Sequence, residues 1–341
     1  MKIETGLPDV PWNEVAAWAG RAESLGYDEI GAAELKRDPF ITSTLAATGT
    51  SRIQIATSVA IAFPRSPMVV AHLGRNIQDL SGGRFTVGLG TQVKGHIERR
   101  FSTVWDSPGP RLREYVESLR AIWDTWQNGT PLNYRGKFYN FTLMTPEFSP
   151  PPSDVPPPKV EIAAVNPYNI RLAGELCDGL RVHPLSTPSY TREVIWPNVQ
   201  AGAAKSGRSL DDFELNGTGF IATGPDDETV QKARENARYR IAFYASTRTY
   251  LPVLEHHGWE SINPKLRDLI AENRWQDLPT VVPDEVLDGF CVSGTWDTIV
   301  EKIDERLSGL VDTISLSMPA DPDDRFMAVM EGVRGLQGRA M

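Results

Sequence analysis

The sequence predicts an α/β chain folded as a (β/α)8 TIM barrel carrying two insertions. Three observations lead there. Apolar strand runs alternate with helical periodicities along the whole chain. Residues 52–91, RIQIATSVAIAFPRSPMVVAHLGRNIQDLSGGRFTVGLGT, read as strand, loop, helix, strand, and the two strands of such a unit must run parallel. Finally, Gly88-Leu89-Gly90 does not complete a dinucleotide fingerprint, because Val93 stands where the third glycine belongs. A Rossmann reading is rejected. Gly90 and Thr91 then lie at the carboxyl end of a barrel strand, where parallel α/β enzymes place their chemistry.

The elements follow in order. Lys2 to Leu7 is the first strand, and Pro11 opens a helix with Val15, Trp18, Ala19, Ala22 and Leu25 on one face. Tyr27 to Ala33 is the second strand and delivers Glu34 to its end; Phe40 to Thr48 is the second helix. The third strand, Ile53 to Ala62, is a nearly continuous β-branched and small apolar run, as a strand buried on both faces requires. Val69, Val70, Leu73, Ile77 and Leu80 mark the next helix, which Ser81-Gly82-Gly83 ends before strand four, Phe85 to Leu89. TQVKGHIERRFS is read as a polar loop. In the helix from Arg111 to Trp126, a stripe of Leu112, Tyr115, Val116, Leu119, Ile122, Trp123 and Trp126 faces the barrel. Asn133 to Leu143 reads as a hairpin around Arg135-Gly136, and the proline-dense residues 146–158 as an extended surface connection.

Lys159 to Val165 is strand five, followed by a helix from Asn166-Pro167 to Cys177. Strand six is Leu180 to Val182, the sixth helix Tyr190 to Lys205, strand seven Phe213 to Ala222. Asp226 or Asp227 starts a long helix, residues 246–290 form a helical excursion, Thr295 caps the last main helix, and Val311 to Met318 is strand eight. The chain is thus one domain over 1–341, with insertions at about 130–158 and 246–290.

Composition narrows the function. The 341 residues exceed the ~250 of a plain barrel by enough for those insertions. A net charge of −9 argues against a nucleic-acid partner, which calls for a basic face. No apolar run approaches the ~20 residues needed to cross a bilayer, and the N-terminus enters a strand without a leader pattern. Cys177 and Cys291, the two cysteines, have neither metal-ligand nor disulfide spacing, which fits a reducing cytoplasm. No metal site is expected. His96 and His183 are the acid/base candidates, since histidine titrates near ~6.5 and both fall at strand ends or in the loops beyond. Taken singly, each reads more readily as a polar loop histidine. His256-His257 is read as structural.

With the strand ends placed, the chain resembles the luciferase-like monooxygenase family over nearly its whole length, and within it the coenzyme F420-dependent oxidoreductases. The carriers are Ala56-Thr57-Ser58-Val59, Ser81-Gly82-Gly83-Arg84-Phe85, Val87-Gly88-Leu89-Gly90-Thr91, Arg111-Leu112-Arg113-Glu114-Tyr115, Leu172-Ala173-Gly174 through Cys177-Asp178-Gly179, and Ser293-Gly294-Thr295. The resemblance implies a bacterial-luciferase-like barrel with a flavin or deazaflavin across the carboxyl ends of the strands. It implies a non-prolyl cis peptide at Ser58-Val59 supporting the ring, Gly90 and Thr91 among the cofactor-binding residues, and a phosphate cradle at Ala164, Val165 and Asn166. Free N–H groups at a helix N-terminus suit an anion there. Glu34 matches an acidic position that hydrogen-bonds the ring, and is also readable as a solvated loop carboxylate. Lys94, Arg99 and Arg100 suit the phosphate and carboxylates of an F420 tail. The chain departs from the pattern at Leu35, where some relatives carry a histidine, and at Val93, where some carry a glutamate proton donor.

The implied activity is hydride transfer between F420 and a small-molecule substrate, in a homo-oligomer, a dimer in many relatives. Three alternatives stay open: an FMN-dependent monooxygenase supplied by a separate reductase, a flavin-binding barrel without catalysis, and a phosphosugar-type barrel. The last calls for a glycine-rich signal after strands seven and eight, and none is present.

Overall fold

The computed structural model describes residues 1–217 and 219–339. Eight parallel strands form the barrel: β1 (Lys2–Gly6), β2 (Glu29–Ala32), β3 (Gln54–Thr57), β4 (Phe85–Gly90), β5 (Lys159–Ala164), β6 (Gly179–Val182), β7 (Glu214–Asn216) and β8 (Thr313–Ser315). Lys2 lies opposite Thr313, which joins the first and last strands, and Ile55 opposite Phe85 closes β3 onto β4. The (β/α)8 expectation holds.

Helices fill the outer layer. In Pro108–Asn128 the whole stripe from Leu112 to Trp126 is buried as the periodicity requires, each side chain contributing about 1.5–3 kcal/mol. Trp123 Nε1 donates to the Ala71 carbonyl at 3.0 Å, so its one polar atom is satisfied. Helix Pro67–Ser81 departs from its stripe: Val69 and Leu80 are exposed, and the packed face is Val70, Ala71, Gly74, Arg75, Ile77 and Gln78. The cause is the proline-rich connection. Arg75 donates to the Pro151 carbonyl at 3.2 Å and Gln78 to that of Pro156 at 3.0 Å, so two polar residues anchor it from the buried side.

Five further expectations are corrected. Strand three, read as continuous from Ile53 to Ala62, is interrupted at Ser58–Val59, where the cis peptide that the resemblance implies is present, and resumes as Ala60–Ile61 beside Leu89 and Gly90. The polar loop after strand four contains a short helix, Lys94–Arg99, pinned by buried Ile97. The hairpin turns at Gly136–Tyr139 rather than at Arg135-Gly136, because the Glu114 carboxylate accepts the N–H groups of Lys137, Phe138 and Tyr139. Strand seven stops at Asn216. Gly217 and Gly219 take positive φ, and Phe220–Gly224 leaves the barrel to pair in parallel with Cys291–Thr295. Thr218, inside the expected strand, lies outside the described residues. With 291–295 a strand, the next helix is Ile299–Leu307 and begins after Thr298, not at Thr295; a final helix, Asp324–Gly335, follows β8.

Candidate active site

The carboxyl ends of the strands bring the two sides of the site together. Glu34, just past β2, is nearly buried and fully engaged. Its Oε2 accepts the Ile61 N–H at 2.7 Å and Arg65 Nη1 at 2.8 Å, while Oε1 accepts Arg65 Nη2 at 3.0 Å. Arg65 also reaches Asp38 at 2.6 Å, and Tyr115 donates to the Arg65 carbonyl at 3.1 Å. Burial opposes the Arg65 charge, but Glu34 and Asp38 outweigh it and raise the guanidinium above its ordinary value. This lattice fixes the segment on which Ser58 and Val59 sit. Gly90 lies under Val59, where a Cβ would come within 2.8 Å of Val59 Cγ2. Thr91 is half-buried, its hydroxyl donating to the Gln92 carbonyl.

Beyond β4, His96, Lys94 and Arg99 are exposed on the short helix, and Arg100 follows it. Arg100 donates to the Leu35 carbonyl at 2.9 Å, tying this helix to the loop that carries Glu34. Lys94 stands 3.8 Å from Glu98. Partial burial, then the charges of Arg100 and Arg99, push the His96 pKa down.

On the neighbouring strand, β5 ends at Ala164, Val165 follows it, and Asn166 precedes the helix Pro167–Leu176 without a side-chain cap on its first turn. Those first-turn N–H groups remain available to an anion. Val165 accepts from the Tyr190 hydroxyl at 3.1 Å, and Asn166 Nδ2 donates to the Thr249 carbonyl at 3.4 Å. After β6, His183 stacks on Tyr250 at 4.4 Å and meets the edge of Tyr244 at 4.5 Å. Its Nδ1 accepts the Leu185 N–H at 3.0 Å, which leaves the proton on Nε2. Burial, with Arg240 beside it, pushes its pKa down to about 3, so the ring is neutral.

Some contributors escaped the sequence reading. Arg65 is one, Tyr244 and Tyr250 are others, and a buried cluster around Arg181 in the lumen is the largest. Its signal was present: Glu4, Glu161 and Arg181 interrupt otherwise apolar strand runs. A cavity of about 580 Å³ lies at the opposite end of the barrel, lined by Lys2, Asp28, Lys159, Glu214, Asp312 and Arg339 among others. Its charges neutralise one another, with Lys2 and Lys159 each 3.0 Å from Glu214 and Arg339 3.1 Å from Asp312. It is a salt-bridged floor rather than a site.

Fold and geometry define a parallel (β/α)8 barrel with two candidate anion handles at the carboxyl ends of the adjacent strands β4 and β5. The chain belongs to the luciferase-like monooxygenase family, whose model matches residues 3–313. An uncharacterized protein of Mycobacterium tuberculosis is 41% identical over 337 residues, 98% of each chain. The 5,10-methylenetetrahydromethanopterin reductase of Archaeoglobus fulgidus is 29% identical over 326 residues, 94% of this chain and 93% of that one. Among solved structures, the coenzyme F420 dependent tetrahydromethanopterin reductase from Methanopyrus kandleri shares the fold, with a TM-score of 0.76 at 20% identity over 98% of both chains. No helix among the described residues is long and apolar enough to cross a membrane.

Proposed function

We propose that the chain is a coenzyme F420-dependent oxidoreductase that transfers a hydride between the deazaflavin and a small organic substrate. One observation carries the choice of cofactor: two anion handles stand on paired strands, with Leu89 in register with Ile162. After β4 come Lys94, Arg99 and Arg100; after β5 comes the uncapped helix start at Asn166. F420 carries both a phosphate and glutamate carboxylates, which suits two handles better than one. The names of the relatives above support the same reading.

The bound group would supply two-electron hydride chemistry. The chain's own residues do the rest. Ser58, Val59, Gly90 and Thr91 support the ring plane, and Ala164, Val165 and Asn166 take the phosphate. Glu34 acts by holding Arg65 and the Ile61 N–H, which fixes the height of that support. His183, neutral and protonated on Nε2, is a hydrogen-bond donor at the mouth. His96, exposed and with its pKa lowered, is neutral at pH 7 and free to accept a proton. The reading includes a cytoplasmic homodimer; sedimentation of the purified chain tests the dimer.

The experiment is a titration of purified apo-protein against F420 and FMN, oxidised and reduced, at two salt concentrations. Tight, salt-sensitive F420 binding with weak FMN binding supports the proposal. Preference for reduced FMN replaces it with a monooxygenase supplied by a separate reductase. Binding of neither overturns both.

A further inference from the structure

The barrel lumen is ionic where barrels of this class are filled mainly with branched aliphatic side chains. Arg181, on β6, lies buried at its centre. Its Nη1 reaches Glu4 on β1 at 2.5 Å, its Nη2 reaches Glu29 on β2, and its Nε stands 2.6 Å from Glu161 on β5. Asn216 on β7 donates to Glu161 Oε1 at 2.8 Å. Nη1 also donates to the Ser58 hydroxyl at 3.3 Å, the longest of these contacts. The remaining strands add no charge: β4 presents Gly88, whose Cβ would lie 3.2 Å from Arg181 Nε, and β8 places Thr313 in register with Asn216. Below them, Lys2 and Lys159 are already paired with Glu214. Three carboxyl groups therefore share one guanidinium.

Buried charges in such excess are not all retained. Burial, opposed by Arg181, raises Glu29 and Glu161 above the carboxylate range, Glu161 to about 7. Arg181 keeps its proton; burial works against it, but Glu161, Glu29 and Glu4 outweigh that and hold it well above its ordinary value.

We propose that Arg181 is a positioning residue for the Ser58–Val59 support, and that one proton carried by the Glu29–Glu161 pair decides how firmly it holds Ser58. With the proton in place, the guanidinium faces two negative charges, one remaining carboxylate of the pair and Glu4, and Ser58 keeps its donor. When the proton leaves to solvent, the added negative charge locks the guanidinium onto Glu29 and Glu161, with which it is already in contact, at the expense of its alignment with Ser58. The 3.3 Å contact is the one it gives up. Cofactor affinity therefore falls as pH rises through neutrality. This rests on the proposed placement of the ring at Ser58 and Val59.

The test is a titration of the full chain with F420 and FMN between about pH 6 and pH 9, beside infrared spectra of the protein without cofactor. Wild-type affinity should weaken by about three-fold or more across the range, the size that linkage gives when binding changes a proton's affinity by about half a pKa unit. Glu161→Gln, a neutral isostere, should flatten that profile at the low-pH affinity and remove a protonated-carboxyl infrared band present in wild type at neutral pH. Ser58→Ala leaves the cluster intact and should flatten the profile at reduced affinity, a second route if Glu161→Gln does not fold. A pH-independent Kd in wild type, an unchanged slope in Ser58→Ala, or no protonated-carboxyl band refutes the inference and leaves the cofactor reading standing. Failure of both cofactors to bind at every pH refutes that reading, and the inference with it.

Discussion

Replacing Glu34 tests whether its lattice supports the site. In Glu34→Ala the Ile61 N–H loses its acceptor at 2.7 Å, and Arg65 loses two bonds at 2.8 and 3.0 Å. An orphaned buried N–H costs about 1–2 kcal/mol. Breaking a buried ion pair costs about 3–5 kcal/mol, but Asp38 remains 2.6 Å from Arg65 and Arg65 keeps some exposure, so about 1–2 kcal/mol is the share expected here. The sum is a loss of about 2–4 kcal/mol. Glu34→Gln keeps an acceptor for Ile61 and loses only charge, so about 1–2 kcal/mol is expected. The assay is equilibrium denaturation followed by tryptophan fluorescence, with a check that the denaturant slope is unchanged. Cofactor affinity should fall in the same order, alanine below glutamine. A Glu34→Ala variant within about 0.5 kcal/mol of wild type refutes the reasoning, as does a glutamine variant no milder than alanine.

Other expectations follow from single contacts. Gly90→Ala places a Cβ within 2.8 Å of Val59 Cγ2, so it should cost about 1–3 kcal/mol of stability and weaken cofactor binding in parallel; unchanged binding by titration would dissociate Val59 from the ring. His183, held neutral with its pKa pushed down to about 3, binds fewer protons than the unfolded chain below pH ~6.5, so it makes stability fall as pH drops from there towards 3. His183→Gln should flatten that acid limb in a pH series of thermal unfolding, while leaving untouched the opposite slope that Glu29 and Glu161 impose between ~4.5 and neutrality. Cys177 and Cys291 are both buried, and burial raises both thiols, Cys177 to about 12; a thiol reagent should therefore label neither in the native protein and both after denaturation.

The parts of the fold that the sequence revealed are those governed by local pattern. The stripe from Leu112 to Trp126 needs only its own periodicity, and the helix stop at Gly82 only a positive φ. Strand seven was misread because Phe220, Ile221 and Ala222 suit any buried strand; which partner they take depends on Cys291–Thr295, some seventy residues away. The site divides along the same line. Gly90, Asn166 and His183 could be placed because strand ends are legible. The partners of Glu34 and Arg181 could not, because Arg65 lies 31 positions from Glu34 and Glu161 20 from Arg181, and nothing local links them.

Both excursions converge on the mouth, and each contributes to it through aromatic rings. From the first, Tyr139 receives Arg111 Nε at 3.0 Å on its hydroxyl, and Arg111 lies 4.5 Å over Phe63, just past Ile61. Trp105, in the loop after β4, meets Phe63 edge-on at 6.1 Å. From the second, Tyr250 stacks on His183 and Thr249 receives Asn166. One aromatic wall therefore rises beyond β3 and β4, the other beyond β6, and the proposed ring and phosphate positions lie on strands between and beneath them. The lumen below is fixed by ion pairs that no excursion residue touches. Substitutions at Tyr139, Trp105 or Tyr250 should then change which substrates are accepted, while those at Arg181 or Glu34 should change how the cofactor is held.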